Sequence, residues 1–145
     1  MASFVYNEAK YQLMVAGLQL ATADLRISLH MTNTTLDTEN DGIATNTDFT
    51  TPDEFDGANY ASPGQALGSL AVTKEDGSDL GKFDAADEVF TALGVGTRNI
   101  AGALLYKFIT NWAASVPIAW FEFTATPDSS DFTVQWNASG LLTLT

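Results

Sequence analysis

Residues 64–145 contain a series of short segments that are apolar or that alternate apolar and polar side chains, and this pattern restricts the chain to few folds. Such segments, when Gly, Pro, Asn and Asp separate them, are typical of β-strands. The turn at 137–140 joins two of them, so we expect a hairpin there. The predicted strands are 67–73, 89–93, 99–109, 116–124, 132–136 and 141–145. The apolar run at 99–109 is also compatible with a helix.

One segment near the N-terminal end, residues 7–20, has the spacing of a helix. Asn7 is a suitable N-cap residue, whereas Gly17 lowers the helix propensity. Residues 1–6 form an arm ahead of this helix, and its aromatic side chains must pack on the same domain or on a neighbour. The residues at helical spacing are Ala9, Leu13, Ala16 and Leu20, and the aromatic residues of the arm are Phe4 and Tyr6.

Residues 25–31 alternate apolar and polar side chains, which predicts a strand with one buried face and one polar face. On this pattern His30 lies on the polar face and has no special role. A long polar stretch rich in Thr, Asn, Asp and Gly follows at 32–63. Ordered loops of this length are usually functional or contact surfaces, so we expect such a surface here.

These elements together predict a mainly β fold, because the strands outnumber the single helix. We expect one domain, an antiparallel β-sandwich or jelly-roll-like barrel with one N-terminal helix and a long polar loop. Its parts are the arm (1–6), the helix (7–20), the long polar loop (32–63) and a β-rich part (64–145), within a single domain of residues 1–145.

The composition excludes several kinds of function. The chain has no Cys and only one His, so thiolate nucleophiles, Cys-type zinc sites and most histidine-based catalytic designs are missing, and we predict no enzymatic activity. Six Lys and Arg against 18 Asp and Glu give a net charge of -12 at pH 7. Such a surface repels phosphate groups, which argues against nucleic acids and membranes as partners.

An acidic segment at 37–48 resembles the calcium-binding loop of an EF-hand. The candidate ligands are Asp37, Glu39, Asp41 and Asp48, with Gly42 at the sharp turn. Oxygen ligands at this spacing suit Ca²⁺, and no other cofactor is predicted. Asp replaces the usual Glu at the end of the loop, and no helices are predicted beside it, so a solvated acidic turn is the alternative.

Residues 131–144, which read DFTVQWNASGLLTL, resemble the ending of a group of small virion proteins of tailed bacteriophages. In that group, a strand of the type F-T-[IV]-x-W leads through a short Gly-containing turn into an apolar last strand. The outline is similar elsewhere too, with an aromatic arm and helix at 6–17, a strand at 24–31 and a polar loop after it. The resemblance implies a mainly β protein of the capsid decoration (cement) or head-associated type.

Such a protein would be a non-enzymatic virion structural protein that binds the outer surface of the major capsid protein shell and stabilises it. The resemblance therefore implies a location on the capsid exterior and a homo-oligomer, with a trimer favoured. Aromatic residues of the arm, the helix and the long polar loop are then the candidate partner-binding residues. These are Phe4, Tyr6, Tyr11, Phe55 and Tyr60.

Other functions stay open at this point. The chain could be a tail or head-fibre component instead. A calcium-dependent carbohydrate-binding adhesion module would need exposed Trp rings, whereas Trp120, Phe123 and Trp136 lie in apolar strand segments and are predicted to fill the core. A hydrolase with two carboxylates would need an Asp or Glu with a strongly raised pKa, and the sequence marks none.

Overall fold

The computed structural model describes residues 3–145, so the first two residues of the predicted arm lie outside the described residues. The mainly β class is confirmed, with several antiparallel sheets and one N-terminal α-helix among the described residues. In chain order the elements are β1 (Phe4–Val5), α1 (Asn7–Met14), β2 (Leu25–Met31), β3 (Gln65–Ala66), β4 (Ala71–Glu75), β5 (Leu80–Asp84), β6 (Glu88–Phe90), β7 (Ile100–Lys107), β8 (Val116–Ala125), β9 (Phe132–Val134) and β10 (Leu142–Leu144).

The central sheet has the strand order β1-β8-β7-β2-β3, and its described neighbours pair antiparallel. Its middle strand β7 is buried on both faces, as its continuous apolar sequence predicts. Strand β2 is also buried on both faces, although its alternating sequence predicts one polar face. A second layer must therefore cover the polar side of β2.

The long polar loop supplies that layer. The loop contains a short 3₁₀ turn at Asn46–Asp48. Apolar side chains of the loop pack against the sheet. The loop residues Leu36, Ile43 and Phe49 pack with Tyr6, Leu104, Tyr106 and Trp120 into one hydrophobic cluster. A larger cluster, to which β2 contributes Leu25, Ile27 and Leu29, fills the opposite face of the sheet. The loop is thus part of the packed structure rather than a free connector.

Two small sheets complete the fold, in the orders β10-β5-β4 and β6-β9. The predicted hairpin between 132–136 and 141–145 is wrong, because β10 pairs with β5 rather than with β9. Gly140 has a positive φ of 98°, and Leu141 N then donates to Phe83 O, so the chain leaves β9 and joins β5. The predicted strand 67–73 is also wrong in its bounds, since Ser69 has a φ of 54° between β3 and β4.

The helix is shorter than the predicted 7–20. It ends at Met14, and Ala16 has a φ of 57°, which does not continue a right-handed helix. Tyr6 rather than Asn7 is the N-cap residue, and its side chain makes no capping hydrogen bond. Among residues 3–145, no helix has the length and apolar composition that crossing a membrane requires.

Candidate functional site

The aromatic arm, which the sequence presents as a partner-binding segment, is anchored in its own domain. Phe4 lies in β1 opposite Trp120 of β8 and is half-buried. Tyr6 has no exposed surface, and its hydroxyl donates to the carbonyl of Leu36 at 2.6 Å. Burial also raises the pKa of Tyr6 far above its ordinary value. In this structure Tyr6, a predicted partner-binding residue, therefore offers no surface to a partner, because its ring closes the cluster beneath the long polar loop.

The two predicted aromatic residues of the long polar loop also face inward. Phe55 is 3% exposed and meets the Tyr60 ring edge-on, with 5.8 Å between the ring centroids. The Tyr60 hydroxyl donates to Glu54 Oε1 at 2.8 Å and accepts from the backbone N–H of Leu29 at 3.2 Å. Phe55 consequently exposes almost no surface to a partner, and Tyr60 holds the loop on β2.

Tyr11 differs from the other four predicted partner-binding residues, because 54% of it is exposed. It lies on α1 one turn before Val15, which is 52% exposed. Side chains four residues apart lie side by side on a helix surface. Tyr11 and Val15 together form an exposed apolar pair, which we call the helix pair.

An apolar cleft lies between α1 and the sheet β10-β5-β4, with a volume of about 580 Å³. Its floor includes Phe83 and Leu142, and its rim includes Met14, Val72 and Leu144. These rim residues are exposed by 80%, 55% and 64%, respectively. Single exposed apolar residues are ordinary, but several around one cleft mark a candidate contact surface. The pattern of apolar and polar residues does not predict this cleft, because the residues that form it lie far apart in the sequence.

Among the described residues, the four predicted calcium ligands are not placed together as a metal-binding group. Glu39 Oε2 accepts from the Thr35 hydroxyl at 2.9 Å and from the Thr50 N–H at 2.8 Å. These hydrogen bonds lower the pKa of Glu39 in spite of its partial burial. Asp41 Oδ1 accepts from Asn7 Nδ2 at 3.3 Å. Glu39, Asp41 and Asp48 line one shallow depression.

Asp48 serves a structural role in the same segment. Its Oδ2 accepts from the backbone N–H groups of Ala44 and Thr45 at 3.0 and 2.8 Å, so it closes the capping box of the 3₁₀ turn. Those bonds also lower the pKa of Asp48. In the described part of the chain, no group of three or more His, Cys, Asp or Glu side chains is placed to hold a metal ion.

The single histidine of the chain, His30, is buried between β2 and the long polar loop. His30 is predicted on a polar face, but it has no exposed surface, because the long polar loop covers that face of β2. Its Nδ1 lies 2.7 Å from the carbonyl oxygen of Pro52, which can only accept, so Nδ1 carries the proton. Its Nε2 then accepts from the Ser28 hydroxyl at 2.8 Å. The rings of Trp112 and Trp120 lie 6.3 and 6.2 Å away.

Ser28 and His30 have the spacing of a nucleophile and its general base. Catalysis requires a substrate at the hydroxyl, however, and neither Ser28 nor His30 has exposed surface. Burial also lowers the pKa of His30 from 6.5 to about 4 and outweighs the carbonyl of Pro52 and the carboxylate of Asp53, which raise it. The pair therefore has the environment of a structural hydrogen bond between β2 and the loop.

Comparisons with known proteins return nothing for this chain. No protein-family model matches it, and no curated protein and no solved structure is found to be similar.

Proposed function

We propose that this chain is a non-enzymatic bacteriophage virion structural protein of the capsid decoration type. It binds the outer surface of the major capsid protein shell and stabilises the shell. The observation that carries the proposal is the resemblance of residues 131–144 to the ending of small virion proteins of tailed bacteriophages. Two features support it: a mainly β fold, and a long polar loop that is built into the domain.

The absence of enzymatic activity is part of the proposal, and the surroundings of Ser28 and His30 support it. Their hydrogen bond is sealed between β2 and the long polar loop. Glu88 is an acidic residue whose pKa burial raises. A hydrolase with two carboxylates also needs a second one at a set distance from the first, so a raised pKa of Glu88 alone does not favour that function.

Contact with the shell uses the helix pair rather than the arm in this proposal. Tyr11 and Val15 are exposed, whereas Tyr6 and Phe55 are not. Tyr is favoured at contact surfaces because its ring buries a large apolar area at a small loss of side-chain entropy. The net charge of -12 further requires that the facing surface of the shell be apolar or basic.

Co-sedimentation with shells that lack this protein tests the proposal. We expect saturable binding at a fixed ratio to the major capsid protein. Tyr11→Glu should weaken binding at least tenfold, since it places a charge in the contact. Val95→Glu is the matched control, because Val95 is 67% exposed outside α1 and receives the same charge.

Two results would overturn parts of this proposal. If folded wild-type protein fails to bind shells, decoration is refuted, and a tail or head-fibre component becomes the better assignment. If Tyr11→Glu and Val95→Glu bind as wild type does, decoration stands but the helix pair is not the contact. A saturable rise of the melting temperature with calcium would instead favour the adhesion module.

A further inference from the structure

The last part of the sequence lacks charged side chains. Residues 132–145 contain no Asp, Glu, Lys or Arg, although the whole chain has 18 acidic and six basic residues. Strand β10 lies in this uncharged part and is an edge strand, because β5 is its one neighbour in the described part of the chain. Its outer edge therefore offers unpaired backbone groups without a charged side chain in the strand to repel a second strand.

The other edge of the same sheet is different. Strand β4 carries Lys74 and Glu75, and Asp76 follows at once. Charged side chains on an edge strand are a usual protection against pairing with another chain. One edge of the sheet β10-β5-β4 is thus protected by charge, and the β10 edge is not.

The side chains of β10 are also suited to a contact. Leu142 and Leu144 are two residues apart and so lie on one face, and Leu142 is in register with Phe83 of β5. This is the face that borders the apolar cleft, since all three residues line it. Leu144 is 64% exposed, and Met14 beside the cleft is 80% exposed. A strand added at the edge would cover Leu144.

We propose that β10 joins two copies of this chain by antiparallel pairing about a two-fold axis. With Thr143 opposite the partner's Thr143, Leu142 lies opposite the partner's Leu144, and the reverse pair is identical. Apolar pairs directly across two strands stabilise a sheet. The two sheets β10-β5-β4 then become one six-stranded sheet, and the interface uses the same surface on both copies.

The uncharged edge is where the charge of the chain least opposes a second copy as the occupant. Two copies that each carry a net charge of -12 repel one another, so they associate best where their surfaces have no charge. The sequence of β10, Leu-Thr-Leu, is symmetric about Thr143 and is therefore complementary to itself in antiparallel register. The inference goes beyond the proposed function, because it assigns a two-fold dimer where the resemblance favours a trimer. Its test uses free protein, so failure of shell binding and failure of this interface are distinguishable.

Sedimentation velocity over a range of concentrations tests the interface. We expect wild-type protein to form a species of twice the 15.5 kDa chain mass as its concentration rises. Leu144→Lys should raise the dimer dissociation constant at least tenfold, because the lysine would enter the apolar contact. Thr73→Lys, on the exposed strand β4, is the matched control and should dimerise as wild type does.

The two lysine variants separate the effect of the β10 edge from the effect of the net charge. Each variant adds one positive charge and so reduces the repulsion between copies, which means that loss of the dimer in Leu144→Lys cannot come from the net charge. Circular dichroism checks that both variants fold. Monomeric wild-type protein, an intact Leu144→Lys dimer, equal weakening by Thr73→Lys, or a trimer would each overturn the proposal. So would monomeric wild-type protein whose shell occupancy falls with Leu144→Lys, since the edge would then bind a shell protein.

Discussion

Acidification should destabilise this protein through His30, and the structure gives both the sign and the size of the effect. In the folded chain His30 is neutral, because it is sealed beneath the long polar loop and its two ring nitrogens are already paired with Pro52 and Ser28. In the unfolded chain its imidazole is in water and binds a proton at an ordinary pKa. Protons therefore favour the unfolded chain.

The magnitude follows from the two pKa values of His30. Burial lowers its pKa from 6.5 to about 4 in the folded state. The stability that the neutral ring contributes is complete above pH 6.5, falls as the pH drops, and is lost below pH 4. The full loss is about 3 kcal/mol, of which about 2 kcal/mol appears between pH 7 and pH 5.

Urea unfolding at pH 7 and pH 5, for wild type and for His30→Asn, isolates this contribution. The variant keeps an amide donor for the Pro52 carbonyl but does not titrate. Carboxylates such as Asp48, whose pKa is lowered, and Glu88, whose pKa is raised, contribute equally to both proteins and cancel in the comparison. The wild-type protein should lose about 2 kcal/mol more than His30→Asn on going to pH 5.

An equal loss in both proteins would refute the argument. So would an imidazole titration near the ordinary pKa in the folded protein. Because the chain has only one histidine, its ring proton signal in a pH series of NMR spectra is unambiguous. The same spectra also report whether acid unfolds the chain before the ring is protonated.

Three further changes have defined outcomes. Tyr6→Phe removes the hydroxyl that satisfies the buried Leu36 carbonyl, so urea unfolding should show a loss of ~1–3 kcal/mol, whereas Tyr11→Phe at an exposed position should stay within ~0.5 kcal/mol of wild type. Gly102→Ala should lower the melting temperature, with a loss of ~1–3 kcal/mol or more, because its Cβ would meet the Trp120 ring and the backbone of the next strand. Calcium should leave the melting temperature unchanged, since Glu39 and Asp48 already accept hydrogen bonds from their own loop; a saturable rise that magnesium does not reproduce would contradict this.

Several strands could be predicted from the sequence, because local patterns of apolar and polar residues indicate them. The strand β7 follows from a continuous apolar run and β8 from a dense aromatic segment, and both lie close to their predicted bounds. The strand β5 has no counterpart in the prediction, since Gly81 and Lys82 interrupt its apolar residues. The predicted partner of β10 is also wrong, because pairing between strands distant in sequence depends on the whole fold and not on the turn beside them.

The inward positions of Tyr6 and His30 could not be predicted for a different reason. Alternation assigns a polar face to β2 but does not say what covers it. The cover comes from the long polar loop, whose buried residues Leu36, Ile43 and Phe49 have neither the period of a helix nor that of a strand. A few apolar residues at irregular spacing in a polar stretch are the one signal that could have suggested it.

The burial of the arm changes which experiment can test binding to a shell. Deleting residues 1–6 would remove Tyr6 from its cluster and unpair β1 from β8, so folding and binding would fail together. An exposed residue outside the core clusters avoids this difficulty. Tyr11 is the one predicted partner-binding residue with more than half of its surface exposed, and its replacement leaves the cluster beneath the loop intact. A loss of shell binding by Tyr11→Glu, with the urea unfolding of wild type preserved, would therefore locate the contact on α1, whereas the same loss after deletion of the arm would locate nothing.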